Sequence, residues 1–191
     1  MTSLFSRKWL LAAIIAAGQS GVLYYMIESR ASILRSGREV VLRTEPVDPR
    51  DLMRGDFVIL SYPLSRLDPA VIGGTAPVTG PASVHVALMK DGADPDLWTF
   101  SRASWQPITD AKAEEVILTG KTPDYYGAGS NPVPLTFGIE RFYVPEGEGK
   151  PIEEGVREKT VHVVLAVNDK GMAQIKSLRL DGQTLHEEPL Y

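Results

Sequence analysis

Apolar positions along this chain change from a helical period to that of strands. From Trp9 to Ile27 nineteen residues carry no formal charge, and a helix of that length spans about 28 Å against a hydrocarbon core of about 30 Å. The run predicts a transmembrane helix acting as a signal anchor. Trp9 at one end and Tyr24 and Tyr25 at the other stand where an aromatic belt falls, and Arg7 and Lys8 make residues 1–8 a short basic N-terminus. A cleaved signal peptide is the alternative, with Ala16-x-Gly18 as the small-residue cut; the apolar run continuing from Val22 to Ile27 argues against it. Over residues 28–37 the period stays helical, with Ile27, Ala31 and Leu34 on one side, and Gly37 is the candidate C-cap of a juxtamembrane linker.

From Arg38 onward the period becomes that of strands. Arg38–Thr44 predicts a first strand, and Phe57–Leu60 one with apolar side chains on both faces. Ser83–Met89, with Val84, Val86 and Leu88 on one face, and Leu97–Ala103 predict a hairpin joined through Lys90–Asp96. Lys112–Leu118 fits a short strand or a helical turn. Leu135–Val144 alternates as a strand, and Pro151–Glu158 fits a short acidic helix with Ile152 and Val156 four apart. Val161–Val167 and Met172–Leu180 form a hairpin through Asn168-Asp169-Lys170-Gly171. Pro63–Pro81 and Gly120–Pro134 hold too many prolines and glycines for regular structure and read as long loops, while Gln183–Tyr191 reads as a loosely held polar tail. The fold class that follows is mainly β: an N-terminal transmembrane helix and then one antiparallel, barrel-like β-rich domain.

Composition narrows the chemistry. The 191 residues, 43% hydrophobic and 23% charged, suit one folded domain plus an anchor. A net charge of -4 with both signs interspersed leaves no basic stripe for nucleic acid. The absence of cysteine removes disulfides, thiolate catalysis, Fe–S clusters and thiolate zinc sites. His85 and His162 each lie between valines in a strand, on the face opposite the hydrophobic one, and His186 lies in the tail without a partner motif. Asp48, Asp51 and Asp56 lack the spacing of a calcium loop and read as turn carboxylates. No residue is assigned as catalytic, cofactor-binding or metal-ligating.

One stretch carries a family resemblance. Arg54-Gly55-Asp56-Phe57-Val58-Ile59-Leu60-Ser61-Tyr62 resembles the signature of the membrane-anchored GDYXXLXY family: Gly55, Asp56, Leu60 and Tyr62 match, and Phe57 stands where the family has its first tyrosine. A second block, Phe137-Gly138-Ile139-Glu140 followed by Tyr143-Val144-Pro145-Glu146-Gly147, is similar to a phrase that recurs in the family. Physically, Gly55 supplies backbone freedom for a tight turn, Asp56 an acceptor for its N–H groups, and Tyr62 a ring that packs while its hydroxyl reaches a backbone group. Gly55, Asp56, Phe57, Leu60, Tyr62, Gly138, Glu140, Pro145, Glu146 and Gly147 are therefore the candidate structural or binding residues. The resemblance implies a bacterial inner-membrane protein with an exported, periplasmic domain over residues 38–191 and a polytopic membrane protein as partner, but no reaction.

Two tensions accompany that reading. Arg30, Arg35, Arg38 and Arg43 after the helix outnumber Arg7 and Lys8 before it, which by the positive-inside rule favours a cytoplasmic domain. Against this, long domains cross largely regardless of charge, and a first helix usually acts as signal anchor. Gly55-Asp56 before an apolar strand also resembles signal peptidases, yet Val47 stands where their serine belongs, Arg50 where their proline belongs, and Lys90 falls in the expected turn instead of serving as base. The expected function is a non-enzymatic accessory or interaction module at the membrane. The alternative is a cell-envelope hydrolase or carbohydrate-binding domain, distantly signal-peptidase-like in fold but without a Ser-Lys dyad.

Overall fold

In a computed structural model, which describes residues 2–45, 57–125, 132–143, 161–180 and 182–187, the chain opens with a single helix, α1 (Thr2–Ser36). It is long and apolar enough to cross a membrane. The span and the juxtamembrane linker expected from the sequence form one continuous rod, which Gly18 and Gly21 do not interrupt. Residues 8–27 are exposed on every side, whereas Ala31 and Ile33 in the last turns are buried. These turns meet β10 (Val161–Val167) and β11 (Ala173–Leu180). Gly37 ends the helix by donating its N–H to the Ile33 carbonyl at 2.8 Å. A Cβ there would lie 2.9 Å from the Val167 nitrogen. Glycine is thus required by the close approach of helix end to strand, rather than by a left-handed cap.

Two four-stranded sheets follow. The first has the order β1-β10-β11-β12, with β1 at Arg38–Arg43 and β12 at Gln183–Glu187. The second has the order β4-β6-β5-β7, with β4 at Ile72–Gly73, β5 at Gly80–Lys90, β6 at Trp98–Ser104 and β7 at Val116–Tyr125. Two short ribbons join them, β2 (Phe57–Ile59) with β9 (Arg141–Tyr143) and β3 (Arg66–Leu67) with β8 (Val133–Pro134). All pairs are antiparallel except β4 with β6. Val40, Val58, Val84, Leu118, Phe142 and Leu165, drawn from both sheets and a ribbon, belong to one buried cluster. None of the sheets closes into a barrel among the described residues, so the barrel-like expectation finds no support in their pairing.

Several elements depart from expectation for identifiable reasons. The stretch from Pro63 to Pro81 is more ordered than its breakers suggest: prolines open two 3-10 turns, Pro63–Ser65 and Pro69–Val71, where a first-turn N–H would have no partner anyway. Strand β7 runs on through Pro123, since a register shift between Gly80 and Ala82 of β5 falls opposite it, and a bulge tolerates a residue without a donor. Lys112–Leu118 resolves into a turn and the start of β7. Of the tail, Gln183–Glu187 is held as β12 on the edge of the first sheet. Pro151–Glu158 lies outside the described residues.

The β6–β7 connection is pinned by Arg102. Its guanidinium reaches Glu115 at 3.0 Å and Asp110 at 3.1 Å, while Ser101 and the Lys112 N–H also donate to the buried Glu115 carboxylate. The hydrogen bond from Arg102 holds both carboxyls below their ordinary range. Depressed values stabilise the fold above the unfolded values, about 4.3 for Glu and 3.9 for Asp, and that stability is lost as pH falls through the folded ones. Arg102→Gln is expected to lower the melting temperature at pH 7, and the gap to the parent should shrink on acidification through that carboxylate range. Melting curves of the full chain in detergent at several pH values test this; a gap constant with pH would refute it.

Candidate functional site: the signature clasp and its cavity

Segments 57–67 and 133–143 pair antiparallel at both ends. Ile59 pairs with Arg141 before an interruption and Arg66 with Pro134 after it, so 60–65 and 135–140 are excursions of equal length, six residues each. Within the interruption the partners change from strand to clasp. The Leu60 N–H donates to the Glu140 carbonyl at 2.9 Å, and the Leu135 N–H to the Ser65 carbonyl at 2.9 Å. Between them the Tyr62 hydroxyl donates to the Ile139 carbonyl at 2.7 Å.

Each clasp residue is set by local chemistry. Leu60 and Tyr62 are both about 1% exposed, the alternation that began with Val58 carrying all three inward. Tyr62 opens the 3-10 turn, its N–H bonded to Ser65 Oγ at 3.2 Å and its carbonyl accepting from the Ser65 N–H at 2.9 Å. Opposite, Gly138 takes φ +81, and the Glu140 carboxylate closes this turn by accepting from the N–H groups of Phe137 and Gly138, the latter at 3.0 Å. Burial pushes the Tyr62 hydroxyl well above its ordinary range, with the Glu140 charge adding to it, so it stays a neutral donor.

The expected site residues thus divide. Leu60, Tyr62, Gly138 and Glu140, from two blocks more than seventy residues apart in sequence, come together in the clasp. Phe57 pairs through its backbone with Tyr143 in the β2–β9 ribbon. Gly55, Asp56, Pro145, Glu146 and Gly147 lie outside the described residues. On the outer face of the ribbon Ile59 and Tyr143 are exposed, 41% and 68%.

Beside the clasp is a cavity of about 220 Å³, which sequence reasoning missed. Its lining includes Leu42, Tyr62, Leu64, Trp98 and Phe100, with Arg43 and Asp91 as the charged members. Trp98 and Phe100 stand two apart in β6, a spacing that puts both on one face; what the sequence does not show is that the turn after Tyr62 comes to lie against them. Arg38 and Lys90 each sit 5.1 Å from the Trp98 ring centroid. Lys90, expected in a turn, is the last residue of β5, its ammonium over an indole and not beside a serine. His85 lies 3.1 Å from the Thr119 hydroxyl and is lowered from its ordinary value by burial. No group of three or more metal-ligating side chains gathers among the described residues.

The arrangement defines a class: a β-rich domain borne on one long apolar helix, its two ribbons locked by a Tyr–Gly–Glu clasp. A family model described as GDYXXLXY protein matches residues 19–178, and the chain belongs to that family. No curated protein and no solved structure matches it.

Tyr62→Phe removes the clasp hydroxyl and leaves the Ile139 carbonyl short of its donor, a loss expected to cost about 1–3 kcal/mol. Gly138→Ala meets a left-handed backbone and should cost about 1–3 kcal/mol. Denaturant titration of the full chain measures both; if the two variants unfold at the parent's midpoint, the clasp is not holding the ribbons.

Proposed function

We propose that this protein is a single-pass, membrane-anchored interaction module without enzymatic activity, working beside a polytopic membrane protein. The observation that carries this reading is the continuity of α1: about 30 Å of helix exposed all round, residues 8–27, runs without a break into turns buried on the first sheet. A soluble domain has no use for so large an unpartnered apolar surface. In this reading residues 9–27 are the anchor, 28–37 the linker and 38–191 an exported domain at the bacterial inner membrane, its sheets and ribbons wrapped barrel-like around one core.

Orientation with the domain in the periplasm rests on a first helix usually acting as signal anchor and on long domains crossing largely regardless of charge. Arg35 is ion-paired with Glu28, and Arg38 donates to the Ala113 and Glu115 carbonyls while stacking on Trp98. Of the four arginines after the helix, Arg38 is thereby held by the domain and Arg35 by its own helix. A hydrolase reading finds less support: the Tyr62 clasp and the Arg102 ion pairs put no nucleophile beside a base, and His85, 3.1 Å from the Thr119 hydroxyl, lies between strands β5 and β7 and not in the lining of the cavity.

Anchoring confines a weak interface to a shell where its effective concentration for a membrane partner is raised. Gly18 and Gly21, three apart on one face of the helix, let that partner approach closely, and Gln19 and Ser20 can hydrogen-bond across helices. Replacing Trp9–Ile27 by a polyleucine span is expected to keep the domain folded, exported and in the membrane fraction, yet to lower its co-purification with the partner severalfold. A reporter active only outside the cytoplasm, fused after Tyr191, reads topology in the same strains. Equal recovery of the partner would place the interface in the domain, and a silent reporter would reverse the orientation.

A further inference from the structure

We propose that the cavity beside Tyr62 binds a small amphiphile made of one aromatic ring or short alkyl group and one anionic head, the chemistry of an aryl or short-chain carboxylate. This site does not depend on the anchor reading and would stand if that reading failed. The first argument is size. Protein interiors are close-packed, with few voids larger than a water molecule, whose share of liquid volume is about 30 Å³. A cavity of about 220 Å³ is several times that, yet smaller than the roughly 300 Å³ at which pockets for drug-sized ligands begin. It therefore suits a single ring or a short chain.

The second argument is polarity. The best-buried lining residues are Leu42, Tyr62, Leu64, Leu67 and Trp98, so the floor is apolar and aromatic. The one hydroxyl among them, that of Tyr62, is already committed to the Ile139 carbonyl. Such a floor offers a bound water too few of the two to four polar partners it needs, and favours a hydrophobic group instead.

The third argument is charge. Arg43 and Asp91 line the more exposed part of the cavity. The Asp91 carboxylate accepts from the Ala93 N–H at 2.9 Å and so serves the β5–β6 turn. Arg43 has no ion-pair or side-chain hydrogen-bond partner among the described residues, leaving its guanidinium open to an acid. A cationic ligand is disfavoured, because Arg38 and Lys90 already sit over the Trp98 ring and take up the attraction its π face would offer. The geometry thus selects an anion on an apolar body.

Binding is read by ligand-observed fluorine NMR on the full-length chain in nanodiscs of zwitterionic lipid, with empty discs subtracted. The probes are a fluorinated phenylacetate and the matching fluorinated phenethylammonium. The acetate is expected to bind saturably and the ammonium at least tenfold more weakly. Arg43→Gln, at an exposed position, should weaken the acetate by roughly tenfold, the scale of one charge-assisted hydrogen bond. Leu64→Trp fills the cavity and should abolish binding; if it lowers the melting temperature, Thr99→Trp at the exposed rim blocks the same space. No saturable acetate binding, equal binding of the two probes, or an Arg43→Gln variant that binds like the parent overturns the proposal.

Discussion

The hydrogen bond from Tyr62 to the Ile139 carbonyl is the constraint around which the domain is arranged. Ribbons of two and three residues are too short to hold register alone, since an isolated two-stranded pair is marginal at best in water. The clasp supplies what they lack. It joins two six-residue interruptions of equal length, so that β2–β9 and β3–β8 share one register although no ladder connects them. A longer excursion on one side would slip one ribbon by a residue and turn an inward residue of that ribbon, such as Val58 or Leu67, out of the core.

From that clasp the core extends to both large sheets, and the first sheet in turn receives the helix. Because Gly37 allows the end of α1 to approach Val167 so closely, no flexible spacer separates the apolar rod from the fold. Only the few residues between Ile27 and the buried Ala31 lie between the two, roughly one helical turn. A domain mounted this way has its orientation relative to the rod set by the helix, so which of its faces turn toward the rod's axis is chosen by the phase of α1 and not by a flexible tether.

How much of this was legible in the sequence follows from the range of the interactions involved. The helix, the Val161–Leu180 hairpin and the buried faces of β5 and β10 were read directly, because hydrophobic period is a local signal that tertiary packing here reinforces. The edge strand β12 was not, since a polar strand that gains its order from Leu178 and Arg179 across the ladder carries little pattern of its own. Pro123 misled for a similar reason: it falls where two residues of β7, Pro123 and Asp124, stand opposite the single Pro81 of β5, a bulge that only the pairing reveals. Of the site, the residues of the clasp were named from the two blocks, but nothing local announces that Tyr62 reaches Ile139. The cavity was invisible, because it is made where the turn after Tyr62 meets β1 and β6.

Tyr62 carries two demands at once, one of the fold and one of the cavity. Its hydroxyl holds the clasp, while its ring walls the cavity. Leu60, likewise matched to the signature, is fully buried and offers nothing to solvent. The described part of the signature thus specifies a way of locking two ribbons, a requirement of stability. Arg43, Asp91 and Phe100, which give the cavity its charge and part of its apolar surface, lie outside the signature. So do the exposed helix faces. A signature that specifies a lock leaves the chemistry unspecified, and function must then be argued from the site in this chain.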